Sequence, residues 1–208
     1  MNRTSDTTRD LEQMALDEIA KRRRSGADVT ALVFGSNAHE QAQHMAAAGA
    51  RIVLGDDTKE PLPVGVGYRV PLSGIWNVLE DPAADIEELP AQPYDLIVCQ
   101  HVLHPLRYEQ ARLAVRALLQ RQKIGGKLFI SVYGIHSELG DVYPDSEKLI
   151  GDRYAPLPKA VAKRYDIDGP VCLYSARNLF SLLFEVGASV LYTSTSTLGT
   201  LRAVAVRI

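Results

Sequence analysis

The segment from residue 94 to residue 133 constrains the fold more than any other part of the chain. It reads YDLIVCQHVLHPLRYEQARLAVRALLQRQKIGGKLFISVY: an apolar run, a short turn, an amphipathic stretch, a Gly-Gly pair and a second apolar run. In the amphipathic stretch the apolar residues recur at spacings of three and four, which predicts a helix over 107–120. A helix between two buried strands makes those strands parallel, because the crossover returns the chain in its original direction. The segment therefore predicts a β-α-β unit and an α/β sheet.

The rest of the chain supplies the other elements of such a sheet. Besides 94–99 and 127–133, apolar runs predict strands at 30–35, 51–54, 68–70, 188–195 and 201–208. Helices are predicted at 7–24, after the good N-cap residues Ser36 and Asn37, and after Ser175. The last two strands are joined by a tight turn and must be antiparallel. We predict a doubly wound, mostly parallel seven-stranded sheet with a C-terminal antiparallel hairpin and helices on both faces.

Composition narrows the functional classes. With 208 residues, 46% hydrophobic and 23% charged, the chain is expected to form one ordinary globular unit with a full-sized core. The net charge of -2 gives no electrostatic case for binding nucleic acid or a membrane. No apolar run is long enough to span a membrane, and the N-terminus lacks the apolar core of a signal peptide. Cys99 and Cys172 lie in apolar surroundings that suit reduced thiols, so we expect a cytoplasmic protein.

Two parts of the chain stand apart from the sheet pattern. Residues 1–28 are expected to form an N-terminal helical extension, and residues 29–208 the α/β domain. The extension ends in the basic run Lys21-Arg22-Arg23-Arg24, which could contact RNA or phosphate, or could complement the helix dipole as a cationic last turn. Residues 134–170 are irregular, and an insertion of this length predicts a lid-like or substrate-facing element.

Polar residues are predicted to meet at the carboxyl ends of the strands, where sheets of this kind bind ligands. The residues that follow the first, second, fourth and fifth strands are, in that order, Gly35, Ser36 and Asn37; Asp56 and Asp57; Gln100, His101 and His104; and Tyr133 with Gly134. If the predicted topology is correct, all of them face one crevice.

Asp56 has the clearest single role in this set. A carboxylate can accept two hydrogen bonds from a ribose diol, and nucleotide-binding folds place an acidic residue after the second strand. Asp57 is its direct neighbour. The alternative is that both belong to a solvated turn, because aspartate is common after strands.

The second half of the chain closely resembles class I S-adenosylmethionine-dependent methyltransferases, a Rossmann-like family. The resemblance is carried by the aspartate in YDLIV, by the CQHVLH turn, by GGKLFIS and by the closing helix-Gly-strand sequence YSARNLFSLLFEVGASV. It implies the cofactor S-adenosyl-L-methionine, with Gln100 and His101 lining its methionine portion. It also implies that Asp85 and Ile86, in DIEELP, flank the adenine.

The first glycine-rich motif departs from the family pattern. VFGSNAH keeps Gly35, but Val33 stands in place of an acidic residue, and Asn37 and His39 stand where further glycines occur. The loop stays partly open at Ser36, and the amides of the following helix could still meet a carboxylate. Gly35, Ser36 and Asn37 are therefore predicted to contact the cofactor.

The resemblance implies methyl transfer, in which the protein positions the acceptor and removes its proton where needed. His101, His104 and Tyr133 are the candidate catalytic groups, although both histidines could instead be structural turn residues. No metal site is predicted, because His39 and His44 are five residues apart and no cysteine or acidic cluster completes a ligand set.

Two functions from different classes remain open. One is methyl transfer to a small molecule, which the lid-like insertion could enclose. The other is a methyltransferase-like protein that has lost catalysis and serves as a binding or assembly partner, as the altered first motif suggests. Other nucleotide-binding α/β proteins form a third group. A protein partner or a homo-oligomer is compatible with each of them.

Overall fold

A seven-stranded sheet forms the centre of the protein. The computed structural model describes residues 5–72, 75 and 93–208, with side chains from Leu11 onward, so the predicted adenine-side residues Asp85 and Ile86 lie outside the described residues. The strands of this sheet are β1 (Val29–Gly35), β2 (Ala50–Gly55), β3 (Val66–Val70), β4 (Tyr94–Gln100), β5 (Gln122–Tyr133), β8 (Ala188–Thr195) and β9 (Thr200–Arg207). Two short strands, β6 (Ala155–Pro156) and β7 (Pro170–Val171), pair with each other outside it.

The strand order is β3-β2-β1-β4-β5-β9-β8. The first five strands of this order are parallel, whereas β9 is antiparallel to both β5 and β8. The predicted mostly parallel α/β sheet with an antiparallel C-terminal pair is confirmed. Its order changes direction between β1 and β4, which brings the carboxyl ends of these two strands together at the point where such sheets bind ligands.

Helices cover the sheet on two faces. They are α1 (Ser5–Arg24), α2 (Ala38–Ala47), α3 (Tyr108–Gln120), α4 (Lys159–Tyr165) and α5 (Ala176–Glu185). Successive residues of a strand point to opposite faces, and the core divides accordingly. Leu32 of β1 packs in one cluster with Val115 of α3 and Leu182 of α5, whereas its neighbour Val33 packs in a second cluster with Ile19 of α1 and Met45 of α2.

Helix α1 shares the core of the sheet although it precedes the sheet in the chain. Its residues Leu11, Ala15 and Ile19 have no exposed surface and belong to the same cluster as β1 and β2. Full burial of a leucine or isoleucine side chain stabilises a fold by roughly 1.5–3 kcal/mol. The helix is therefore a packed layer of the domain.

A buried carboxylate fixes the end of α1 to the amino-terminal edge of the sheet. Asp95 accepts hydrogen bonds from the backbone and hydroxyl of Thr30 (2.9 and 3.0 Å), from Lys123 (2.8 Å) and from Arg22 (3.1 Å). Burial alone raises the pKa of Asp95, but the hydrogen bonds from Lys123 and Thr30 outweigh it and hold the pKa below its usual value. Arg22 forms a salt bridge with Asp95 and Arg23 forms one with Asp28, each at 3.1 Å. The two middle residues of the basic run are therefore used in contacts within the protein.

Strand β5 begins earlier than the sequence predicts. The sequence predicts a strand over 127–133, with the Gly125-Gly126 pair as the turn before it, but the strand begins at Gln122 and contains both glycines. The pairing of β5 with β4 is irregular there, with Tyr94 opposite Gln122 and Leu96 opposite Lys127. The extra residues form a bulge, which Gly125 accommodates with a positive φ of 75°.

The insertion after β5 has a core of its own. It contains two short 3-10 helices (Gly140–Val142 and Ile150–Asp152), the β6–β7 pair and α4. Its buried apolar residues form a third cluster, composed of Leu139, Tyr143, Ala155, Leu157, Ile167, Val171 and Leu173. Tyr133, at the end of β5, packs against this cluster. The insertion is thus attached to the strand end where the candidate site lies.

Candidate functional site

The carboxyl ends of four strands bring the predicted site residues to one edge of the sheet. Gly35, the last residue of β1, is in register with Gln100, the last residue of β4, and Gln100 is in register with Ser131 of β5. His101 follows Gln100 directly, and Tyr133 ends β5. The topology therefore assembles residues that lie up to 98 positions apart in the sequence.

His101, His104 and Tyr133 form one aromatic cluster. The rings of His101 and Tyr133 are stacked, with centroids 4.6 Å apart and planes 15° from parallel. His104 meets the Tyr133 ring at an angle of 63°, with centroids 5.1 Å apart. All three candidate catalytic residues are thus in mutual reach, as expected, and their catalytic role remains a prediction.

The turn after β4 holds both histidines by backbone contacts. His101 has a positive φ of 52°, which is uncommon for a residue with a side chain. Its N–H donates to the Ser131 carbonyl at 2.9 Å. Its carbonyl accepts a 2.9 Å hydrogen bond from Nδ1 of His104. Since a carbonyl can only accept, the His104 proton lies on Nδ1, and its Nε2 carries a lone pair.

Both imidazoles are neutral at pH 7. Burial lowers the pKa of His101 to about 4, helped by His104 and by the nearby cation of Arg202. Burial also lowers the pKa of His104 to about 4, against the opposing effect of its hydrogen bond to the His101 carbonyl. The pKa of Tyr133 is raised, mainly by burial and also by Tyr165. The cluster therefore presents neutral hydrogen-bonding groups.

Several buried polar atoms at this edge have no hydrogen-bond partner in the structure. They are both amide atoms of Gln100, both ring nitrogens of His101 and the hydroxyl oxygen of Ser131. Gln100 and Ser131 are each 1% exposed, and His101 is 6% exposed. Leaving a buried donor or acceptor unpaired costs about 1–3 kcal/mol. These groups are available to hydrogen-bond a ligand or water at this edge.

The loop after β1 is shaped by its closeness to β4. A side chain at Gly35 would bring its Cβ within 2.1 Å of the Gln100 carbonyl oxygen, and φ at Gly35 is 98°. The Ser36 N–H donates to the same carbonyl at 3.0 Å. Asn37 is the N-cap of α2, but it has a left-handed conformation (φ 58°) and its side chain makes no capping hydrogen bond. Helix α2 therefore begins after Asn37, as the sequence predicts, but the Asn37 side chain does not supply the capping hydrogen bond.

Asp56 lies in a network of polar contacts. Its Oδ2 accepts hydrogen bonds from Nε2 of His39 (2.8 Å) and from the hydroxyl of Thr58 (2.5 Å), and lies 3.4 Å from Nε of Arg69. Its Oδ1 accepts from the Thr58 N–H at 3.1 Å. Burial raises the pKa of Asp56, but the hydrogen bonds from Thr58 and His39 lower it further than burial raises it. The neighbouring Asp57 accepts from the N–H of Leu72 at 2.8 Å.

The insertion contacts the site through a residue that the sequence did not single out. Tyr165 of α4 meets the ring of Tyr133 edge-on, with centroids 6.3 Å apart. Its hydroxyl donates to Glu138 at 2.9 Å, and Glu138 also pairs with Arg164 at 2.9 Å. The predicted lid-like or substrate-facing role of residues 134–170 stays a prediction, and the sequence carried no signal for this ring contact. Within the described residues, no group of three His, Cys, Asp or Glu side chains could hold a metal ion.

Comparison with solved structures shows the class of fold. A SAM-dependent methyltransferase from Methanosarcina mazei superposes with a TM-score of 0.60 and 12% identity, covering 87% of this chain and 93% of its own. A second match is 1,6-didemethyltoxoflavin-N1-methyltransferase from Burkholderia thailandensis, solved with 1,6-didemethyltoxoflavin and S-adenosylhomocysteine. It superposes with a TM-score of 0.58 and 13% identity, covering 93% of this chain and 78% of its own. A third match is magnesium protoporphyrin IX methyltransferase from Synechocystis PCC 6803, with bound S-adenosylhomocysteine. It superposes with a TM-score of 0.56 and 17% identity, covering 100% of this chain and 89% of its own.

The chain has the methyltransferase fold. This confirms the fold that the sequence resemblance predicts, including the closing antiparallel strands. No protein-family model and no curated protein sequence matches the chain. In the part of the chain that the structure describes, no helix is both long and apolar enough to cross a membrane. Sheets of this topology bind ligands at the carboxyl ends of their strands, and the chemistry follows from the side chains at that edge.

Proposed function

We propose that this protein transfers a methyl group from S-adenosyl-L-methionine to a small-molecule acceptor. One observation carries the proposal: a methyltransferase fold whose β4 and β5 ends join His101, His104 and Tyr133 in one cluster beside unpaired polar groups. The two free, buried cysteines support a cytoplasmic location, which we propose together with this function.

The residues at the strand ends fit the cofactor. The unpaired amide of Gln100 and ring nitrogens of His101 can bond the polar methionine portion. Oδ1 of Asp56 accepts one protein donor and, as a carboxylate oxygen, keeps a lone pair for a ribose hydroxyl. The resemblance further assigns Gly35, Ser36, Asn37 and Asp57 to the cofactor, with Asp85 and Ile86 beside the adenine. When bound, S-adenosylmethionine supplies an already activated methyl group.

The side chains around the acceptor then have positioning and proton-accepting roles. His104 is neutral and carries its lone pair on Nε2, so it can accept the proton that the acceptor loses. Tyr133 lies against both imidazoles and can orient a flat acceptor by stacking or through its hydroxyl. His101 is held by its backbone and can hydrogen-bond a polar atom of the acceptor or the cofactor.

The position of the insertion beside the site supports a small acceptor. Residues of this segment pack against Tyr133 and bring Tyr165 to the cluster, which closes one side of the site. Among the structures that share the fold, the Burkholderia enzyme contains a compact acceptor, 1,6-didemethyltoxoflavin. This likeness supports, for this chain, an acceptor that fits between the histidine turn and the insertion.

Calorimetric titration with S-adenosylmethionine and S-adenosylhomocysteine tests the proposal. We expect micromolar binding of either ligand, and at least a tenfold loss of affinity for Asp56→Ala, because the ribose diol loses its acceptor. Asp28→Asn is the matched control, since Asp28 is exposed and lies at the opposite edge of the sheet. Folded protein that binds neither ligand at millimolar concentration would refute methyl transfer and favour the non-catalytic alternative.

A further inference from the structure

A cavity lies at the amino-terminal edge of the sheet, away from the candidate site. Its volume is about 300 Å³, and it is lined by the amino-terminal parts of β1 and β2, by β3 and by the first residue of β4. Thr30, the β1 residue in this wall, lies five residues before Gly35 at the other end of the strand. At about 3.3 Å per residue, some 17 Å of strand separate the two places. The cavity is therefore distinct from the site at the carboxyl ends.

Tyr94 brings an unpaired hydroxyl to this cavity. It is one of the wall residues and is 2% exposed, and its buried hydroxyl oxygen has no hydrogen-bond partner in the structure. Burial raises the pKa of Tyr94 to about 12, with Arg121 opposing and Tyr68 adding to the rise. Since Tyr68 is also a wall residue, the hydroxyl lies within electrostatic reach of the cavity wall. At pH 7 this hydroxyl is protonated and can donate a hydrogen bond to a bound molecule.

The volume and the apolar walls indicate the size and shape of the ligand. Ile52 and Val53 supply aliphatic surface, and Tyr68, which is 45% exposed, supplies an aromatic ring on which a flat molecule can stack. Small-molecule sites have volumes of roughly 300–1,000 Å³. This cavity lies at the lower end of that range, which suits a compound with a single ring and one polar group.

The charges around the cavity select the polar group of the ligand. Arg51 belongs to the wall, is exposed and forms no salt bridge with any described residue. Arg121 adds a second positive charge within reach of the Tyr94 hydroxyl. Among the described residues that line the cavity, none is acidic, and the adjacent Asp95 already forms two salt bridges. A carboxylate accepts hydrogen bonds from a hydroxyl and from a guanidinium, and it complements this positive charge.

We propose that this cavity binds a small aromatic carboxylate, with its ring between Ile52 and Tyr68 and its carboxylate held by the Tyr94 hydroxyl and Arg51. The site does not depend on methyl transfer, because none of its residues lies at the carboxyl ends of the strands. Both sites can be occupied at the same time, since they lie at opposite edges of the sheet.

Titration of the full chain with benzoate, followed by ¹⁵N–¹H nuclear magnetic resonance, tests the site. We expect saturable binding with a Kd of about 1 mM or lower, which a ligand of this size can provide. The amide signals of Gly65 and Gly67, which line the cavity, should shift, whereas that of Gly134 should not. Benzamide lacks the charge and acetate lacks the ring, so each should bind at least about tenfold more weakly.

Two variants test the residues that are proposed to hold the carboxylate. Tyr94→Phe should lower benzoate affinity at least about fivefold, but its melting temperature should not fall, because the hydroxyl has no internal partner to lose. Tyr192→Phe, at a half-exposed position in β8, is the matched control. Arg51→Gln should also lower the affinity at least about fivefold, whereas Arg116→Gln, at an exposed position in α3, should leave it unchanged.

Two results from the same titration would overturn the proposal. One is folded wild-type protein whose signals do not shift at about 10 mM benzoate, and the other is unchanged affinity in Tyr94→Phe. His104→Phe alters the candidate site and should leave benzoate binding as it is. A loss of binding in this variant would overturn the proposal too, because benzoate would then occupy the carboxyl ends of the strands. Titration with S-adenosylhomocysteine tests methyl transfer separately, so failure of one proposal leaves the other standing.

Discussion

Nε2 of His39 lies 2.8 Å from Oδ2 of Asp56, so an imidazole contacts the carboxylate that is proposed to bind the ribose. His39 stands where the family resemblance places a glycine. The side chain therefore fills space that a glycine would leave open, and it uses one hydrogen-bonding position of Asp56. Thr58 and Arg69 contact the same carboxylate oxygen, and both also lie within 3.5 Å of Nε2 of His39.

Removal of this imidazole is expected to strengthen cofactor binding. His39→Ala keeps α2 intact and frees a lone pair on Asp56, while Thr58 still holds the carboxylate in place. We expect the Kd for S-adenosylhomocysteine to fall about fivefold, the equivalent of one hydrogen bond of about 1 kcal/mol. Isothermal titration calorimetry measures this. A weaker affinity would show instead that His39 positions Asp56 for the ligand.

His104 is expected to matter for the rate and little for cofactor affinity. His104→Phe keeps a ring against Tyr133 but removes the lone pair on Nε2 that is proposed to accept the proton. We expect kcat to fall by roughly 10²–10⁴, with the Kd for S-adenosylhomocysteine changed less than threefold. Single-turnover methylation of an identified acceptor, together with titration, separates the two effects. Unchanged kcat would remove His104 from the mechanism.

The two buried histidines should make folding stability depend on pH. Their folded pKa values of about 4 lie below the usual 6.5, so the unfolded chain binds more protons between pH 6.5 and pH 4. Stability therefore falls as the pH decreases through this window, by at most about 3 kcal/mol for each histidine. Urea unfolding at pH 7.0 and pH 4.5 measures the loss.

Two variants test whether this pH dependence comes from His101 and His104. In His101→Asn/His104→Asn, the difference in unfolding free energy between the two pH values should shrink, because no imidazole remains there to be protonated. His136→Asn, at an exposed position, should behave like the wild type. An equally steep dependence in the double variant would assign the effect to other groups.

Gly35 and Gly67 form a matched pair for a test of the first loop. Gly35→Ala places a Cβ against the Gln100 carbonyl oxygen at a positive φ, so we expect destabilisation of more than about 3 kcal/mol, or failure to fold. Gly67 has no atom within 4 Å of its would-be Cβ and an ordinary φ, so Gly67→Ala should change stability by less than about 1 kcal/mol. Thermal unfolding compares the two. Equal stability would contradict the close approach of β1 and β4.

The parts of the fold that are specified locally were predictable from the sequence. The apolar runs and the spacing of three and four around Val115 predict β4, α3 and their parallel partner, since strand and helix periodicities depend on neighbouring residues. The predicted start of β5 was wrong because a Gly-Gly pair is compatible with a turn and with a bulge alike, and Gly125 and Gly126 lie in a bulge.

Side-chain contacts between distant parts of the chain could not be predicted from the sequence. The pairing of His39 with Asp56 depends on how α2 is placed against the end of β2, and no local pattern encodes that distance. The approach of Tyr165 to Tyr133 depends on the fold of the whole insertion. By contrast, the grouping of His101, His104 and Tyr133 follows from the order of β4 and β5 alone, which is why this part of the site was predictable.

The insertion begins and ends at nearly the same place. Ile135 donates its N–H to the Tyr174 carbonyl at 2.7 Å, and Tyr174 donates its N–H to the Tyr133 carbonyl at 3.1 Å. Residues 135–173 therefore leave the sheet and return to it through one narrow stem, with an apolar core between. We expect such a segment to be exchangeable as a cassette if the replacement keeps Cys172, which packs in the main core and donates its N–H to the His104 carbonyl at 2.8 Å. Under the methyl transfer that we propose, grafting a different insertion onto this stem is expected to change acceptor preference while the scaffold beneath stays constant.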